Sequence, residues 1–176
     1  LISFCGSNVA KLRFPQKKML RMEWKMRIGG TEYEGDGITI AIIDSGVRSG
    51  DPRLHKADIN GWQIQLSATN HAVLSDDFED VNGHGTELAV VLHKYAPKAK
   101  LLAIRIMNQN LTASADLLVA GIETAYKVSG ADIIMISFGT PNMGKAMILR
   151  DACAMANESG SLIVAAAHPQ GSRSFP

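Results

Sequence analysis

The chain has 176 residues, enough for one α/β domain with a buried core, and at 46% hydrophobic and 20% charged it has the composition of an ordinary globular protein. Disorder, collagen-like structure and a disulfide scaffold are excluded on that ground, and no apolar run approaches the roughly 18 residues that cross a bilayer. The net charge of +1 conceals an imbalance: residues 1–30 hold seven basic side chains and one acid, leaving 11 basic and 16 acidic groups for the rest.

Within that basic stretch Leu20, Met22, Trp24, Met26 and Ile28 alternate with Arg21, Glu23, Lys25 and Arg27. A period of two predicts an edge or appended strand, with a basic arm for nucleic acid or an acidic membrane surface as the alternative. Neither nucleic acid nor a membrane is the expected partner. Residues 38–43 are apolar and β-branched, as in a strand buried on both faces, and stop at Asp44-Ser45-Gly46. Residues 49–81 are more polar and read as mostly loop, with Pro52 and Gly61 as breakers. Gly83-His84-Gly85-Thr86 opens a helix over 87–95 that ends at Pro97. A strand over 101–107, a helix over 113–128, a strand over 132–137, a helix over 143–158 and a strand over 161–167 follow. Met143, Met147 and Met155 fall at helical spacing and are expected in the core.

Strands alternating with helices imply parallel crossovers, hence a doubly wound sheet. Residues 1–30 then form a basic N-terminal segment and 31–176 the α/β domain. Ligands of such sheets gather at the carboxyl ends of the strands, which directs attention to Asp44, Ser137 to Pro141, and His168 onward. A dinucleotide site is disfavoured, because the first strand is followed by Asp44-Ser45-Gly46-Val47 without a G-x-G-x-x-G turn, and no phosphate loop ending in Gly-Lys-Ser/Thr occurs. Cys5 and Cys153 allow at most one bridge and lack metal-ligand spacing. No metal or other cofactor is expected. The opening residues show no signal-peptide pattern, so a reducing, cytoplasmic setting is the expected location.

Asp44 and His84 are the chemically suggestive pair. A carboxylate held at the end of a buried strand can accept a hydrogen bond from one imidazole nitrogen and stabilise the imidazolium formed when the other takes a proton. The glycines flanking His84 leave room for another backbone, as a peptide substrate would need. The acidic cluster Asp76, Asp77, Glu79 and Asp80 departs from a calcium loop, since Phe78 occupies its first position. It reads as a solvated loop, with an acidic rim for basic substrates as the alternative.

Ile40-Ala41-Ile42-Ile43-Asp44-Ser45-Gly46-Val47 and Asn82-Gly83-His84-Gly85-Thr86 resemble the aspartate and histidine motifs of the subtilisin-like serine peptidases, the subtilases. Asp132-Ile133-Ile134-Met135-Ile136-Ser137-Phe138-Gly139 resembles the strand that lines their substrate cleft, and Leu162-Ile163-Val164-Ala165-Ala166-Ala167 the strand leading to their oxyanion residue. The resemblance covers about residues 30–176. It implies a parallel, doubly wound three-layer sheet, incomplete at its C-terminal end, and an active site for cleaving peptide bonds in a peptide or protein substrate. On these positions Asp44 would orient the base, His84 would be the general base and later acid, and Ser137, Phe138 and Gly139 would present backbone to an extended substrate.

Two departures bear on catalysis. The nucleophile of these peptidases lies in Gly-Thr-Ser-x-Ala, but here Gly30-Thr31 precedes Glu32, Gly85-Thr86 precedes Glu87, and Gly139-Thr140 precedes Pro141. Pro169 stands where an oxyanion Asn is expected. It offers neither a side-chain donor nor an N–H, and one such donor is worth about 2.7–4 kcal/mol of transition-state stabilisation. His168 and Gln170 are the neighbouring substitutes. A third departure, Glu87 in place of the usual His, lies outside the triad. The resemblance therefore implies either a serine endopeptidase whose nucleophile is absent from this chain, or an inactive relative that binds a peptide or partner protein. The chain alone is expected to be inactive, and a complementing chain or a homodimer is the expected partner, with a folding-back of the basic N-terminal segment over the sheet as the alternative.

Overall fold

The computed structural model describes residues 2–3, 26–28, 31–167, 171 and 174–176. Strand β1 (Ile2–Ser3) and strand β2 (Met26–Ile28) lie in the basic segment, and β2 pairs antiparallel with β3 (Thr31–Tyr33). Of the alternating residues 20–28, those before Met26 lie outside the described residues.

Strand β4 (Thr39–Asp44) is central. Its Ile40 and Ile42 face one side of the sheet and its Ala41 and Ile43 the other, all buried, which is why the run is apolar without alternation. Two strands follow where the sequence reads as loop: β5 (Asp58–Leu66) and β6 (Ala72–Ser75). Helix α1 (His84–Tyr95) begins three residues earlier than its apolar pattern suggests. Strand β7 (Lys100–Arg105) and the short β8 (Thr112–Ala113) lead to α2 (Ala115–Glu123), where the Ser114 hydroxyl accepts the Leu117 N–H at 3.1 Å as an N-cap. The helix widens into a π turn over Thr124–Val128 before β9 (Ile133–Ile136). A 3₁₀ turn, Met143–Lys145, precedes α3 (Ala146–Glu158), and β10 (Leu162–Ala165) follows.

The main sheet runs β10-β9-β4-β7-β5-β6. All neighbours are parallel except β5 and β6, so the expected parallel sheet gains an antiparallel edge. Helix α1 packs Ala89 against Ile40, Ile42, Leu101 and Ala103 on one face. On the other face α2 and α3 bring Leu118, Ile122, Leu149 and Ala156 against Ile43, Ile104 and Ile134. These are the three layers of an α/β sandwich, and burial of each Ile or Leu contributes about 1.5–3 kcal/mol. The three methionines expected in the core are instead exposed; Leu149, Ala152 and Ala156 form the buried side of α3. No helix among the described residues is long and apolar enough to cross a membrane.

The topology also places the site. The chain lays β7 on one side of β4 and, after α2, β9 on the other. Strand order therefore reverses at β4, and a sheet of this kind opens a crevice at the carboxyl end of the strand where it does so. Asp44 is the last residue of β4.

Candidate active site

Asp44 is fully buried, and its carboxylate gathers three donors. The Ser45 N–H donates to Oδ1 at 2.6 Å, the Ser137 hydroxyl donates to Oδ2, and His84 Nδ1 lies 2.8 Å from Oδ2 and 3.0 Å from Oδ1. An ionised carboxylate only accepts, so Nδ1 carries the proton, and in the neutral ring Nε2 holds the lone pair. The expected hydrogen bond between these two residues is present. The Asp44 contact, opposed by partial burial of the ring and aided by the charges of Asp44 and Asp80, raises the His84 pKa above its ordinary 6.5. A third of the His84 side chain remains exposed, while Asp44 beneath it does not.

His84 is held by the start of α1. The cap residue, Gly83, has φ of 109° and no side chain to offer. Asp80 serves in its place: it accepts the N–H groups of Asn82 at 3.0 Å, Gly83 at 2.8 Å and Thr86 at 2.9 Å, together with the Thr86 hydroxyl. Burial pushes the Asp80 carboxyl up, but the Thr86 hydroxyl and those three backbone donors outweigh it and hold the pKa below the usual value. The Ser45 hydroxyl donates to Asp80 at 2.8 Å and accepts the Gly85 N–H at 3.1 Å, joining the aspartate motif to the histidine motif. A Cβ on Gly85 would lie 2.1 Å from the Gly46 carbonyl oxygen. The backbone that needs the glycine beside His84 is thus the chain's own.

The acidic cluster divides. Asp80 belongs to the scaffold of the site, and Asp77 pairs with Arg105 at 2.7 Å. Glu79 accepts from the Ser49 hydroxyl at 2.9 Å. Sequence reasoning missed Asp80; its place four residues before His84, with Asn82-Gly83 between, was the available signal. Glu87, the departure from the usual His, binds Arg53 at 2.7 and 3.0 Å, and Arg53 also binds Asp51 at 2.8 Å. That cluster ties the turn Pro52–Leu54 to α1.

The segment after β9 turns in three directions. The Ser137 side chain faces Asp44, Phe138 is buried in the core, and Gly139 packs against Ser174 and Phe175, whose backbone pairs with Thr140 at 2.7 and 2.9 Å. His168, Pro169 and Gln170 lie outside the described residues.

A model of the subtilase family matches residues 35–168. Relatives include the minor extracellular protease Epr of Bacillus subtilis, 33% identical over 146 residues, and thermitase of Thermoactinomyces vulgaris, 30% identical over 169 residues. These matches cover 78% and 89% of this chain but 21% and 54% of the two relatives, so the chain spans about half the length of thermitase and a fifth of Epr. Among solved structures, a cold-adapted subtilisin-like serine proteinase aligns with a TM-score of 0.61 at 20% identity, over 81% of this chain and 52% of that one. The fold is thus shared with a solved structure, and the family match spans both Asp44 and His84: the chain belongs to the subtilase family.

Proposed function

We propose that this chain carries the aspartate and histidine of a subtilisin-type serine endopeptidase and works with a serine that its 176 residues do not supply in a Gly-Thr-Ser motif. The observation that carries this reading is the two-oxygen contact between buried Asp44 and His84 Nδ1. Nε2 would take the proton from the serine hydroxyl as its oxygen attacks the peptide carbonyl, and Asp44 would stabilise the imidazolium formed. The imidazolium would then give that proton to the leaving amine, leaving an acyl-enzyme for water to hydrolyse.

An extended peptide has a strand edge to join. Asn82 Nδ2 donates to the Gln109 carbonyl at 3.0 Å, tying the histidine motif to the loop before β8. Strand β1 is paired antiparallel with β8 there, Ile2 opposite Ala113, so a peptide joining this edge would take the place of β1. Beside it a groove of about 360 Å³, lined by Leu66, Ile106, Met107, Ala113 and Leu117 among others, suits an apolar side chain.

Labelling with a fluorophosphonate tests the reading. The isolated chain gives no adduct, whereas the chain joined to the serine-bearing part of a subtilase gives a stoichiometric one that His84→Ala abolishes. No adduct in the joined protein would favour the second reading, an inactive peptide-binding relative. A His84-dependent adduct on the isolated chain would place the nucleophile within the 176 residues.

A further inference from the structure

Arg105 is a buried cation that the proposed chemistry does not use. It ends β7 in register with Asp44, on the face that α1 covers, and its side chain is 7% exposed. The guanidinium reaches the loop before α1. One terminal nitrogen donates to the Glu79 carbonyl at 2.7 Å and the other to the Asp77 carboxylate at 2.7 Å. The Arg105 contact pulls the Asp77 carboxyl below its usual value, against a smaller opposing effect of burial. The remaining nitrogen, Nε, is buried without a hydrogen-bond partner.

Burying a charge with one donor unsatisfied is costly, and an apolar side chain would fill a core position at less cost. Both bonds that Arg105 does make reach one loop. That loop runs back along the aspartate motif: the Val47 N–H donates to the Phe78 carbonyl at 2.9 Å and the Val81 N–H to the Ser45 carbonyl at 3.1 Å. Its Asp80 then holds the amides of Asn82, Gly83 and Thr86 around His84. A planar fork serves two acceptors in different directions, which a single ammonium does less well.

We propose that Arg105 is a positioning residue for His84: its guanidinium fastens the loop over residues 77–81 to the sheet, and Asp80 of that loop fixes the helix start that aims the imidazole at Asp44. The functional meaning rests on the peptidase reading above, but the mechanical claim is tested without any peptidase activity.

Amide hydrogen exchange and proton NMR on the intact chain provide the test. In Arg105→Met, the amides of Asn82, Gly83 and Thr86 exchange about tenfold faster or more, while those of Leu118 and Ile122 in α2 change less than about twofold. The downfield Nδ1 proton of His84, expected for a hydrogen bond to a carboxylate, broadens. Leu149→Ala, a core truncation on the opposite face, accelerates α2 instead and leaves that proton sharp. Should Arg105→Met fail to fold, Asp77→Asn removes the exposed end of the same clamp and is expected to accelerate the same three amides. Asp76→Asn serves as the charge control and leaves them unchanged. Acceleration of those three amides no greater than that of α2, in whichever clamp variant folds, overturns the proposal. So does an equal acceleration in Asp76→Asn. Failure of the fluorophosphonate experiment leaves this result unaffected.

Discussion

His84 meets both oxygens of a carboxylate that has no contact with solvent, and this decides how the residue titrates. Its pKa is raised chiefly by the Asp44 contact. A raised folded-state pKa means that protonation favours the folded chain: the contribution is fully present below the ordinary 6.5 and is lost as pH rises through the folded value. Urea midpoints should therefore fall across that window in the native chain and stay flatter in His84→Gln. Asp44→Asn should return the His84 midpoint, read from its ring-proton shifts, toward 6.5 or below, because burial then acts unopposed by the carboxylate. An unchanged midpoint would mean that another anion raises the imidazole pKa. A general base must be neutral, so activity of a completed enzyme should rise with pH through the same raised value.

At the scale of the elements, what was legible in the sequence followed from regularity. Asp44 and His84 were legible because each sits where a periodic run begins or ends, one closing a six-residue strand and one at a helix start. Asp80 and the Ser137 hydroxyl were not, because their partners are brought close only when loops fold back, and spacing along the chain does not encode that closure. The methionines of α3 follow helical spacing but lie off its buried side, so period alone misplaced them. Strand β5 was hidden by its polar residues and by Gly61, which resembles a breaker. In the sheet, a Cβ at Gly61 would stand 2.1 Å from the Ala103 carbonyl oxygen and 2.9 Å from the Ala103 side chain. Glycine is there because β7 approaches closely, not because the chain turns. Gly61→Ala should consequently destabilise the chain by about 1–3 kcal/mol, as overpacking does. Urea unfolding measures this, and a loss below about 0.5 kcal/mol would show that β5 and β7 separate easily.

At the scale of the whole chain, β10 forms one edge of the main sheet. Parallel strands are ordinarily covered on both faces, yet Leu162 is 59% and Val164 39% exposed. As residues two apart on a strand they share one face of it. Helix α1 covers the centre of the sheet, where Ile40, Ile42 and Leu101 lie, and Ile133 and Met135 of β9 pack at the margin of that cluster. Beyond them β10 pairs, among the described residues, with β9 alone, so its outer edge offers backbone donors and acceptors as well as apolar side chains. An edge of that kind is a template for pairing with another strand, whether from a second copy or from a complementing chain. The purified chain should show a sedimentation coefficient that rises with concentration. Leu162→Lys places a charge on the exposed strand and removes roughly 1.5–3 kcal/mol of burial from such a contact, weakening association by about tenfold or more. A chain that sediments as a monomer at every concentration, with Leu162→Lys indistinguishable from it, would show that this edge is tolerated bare.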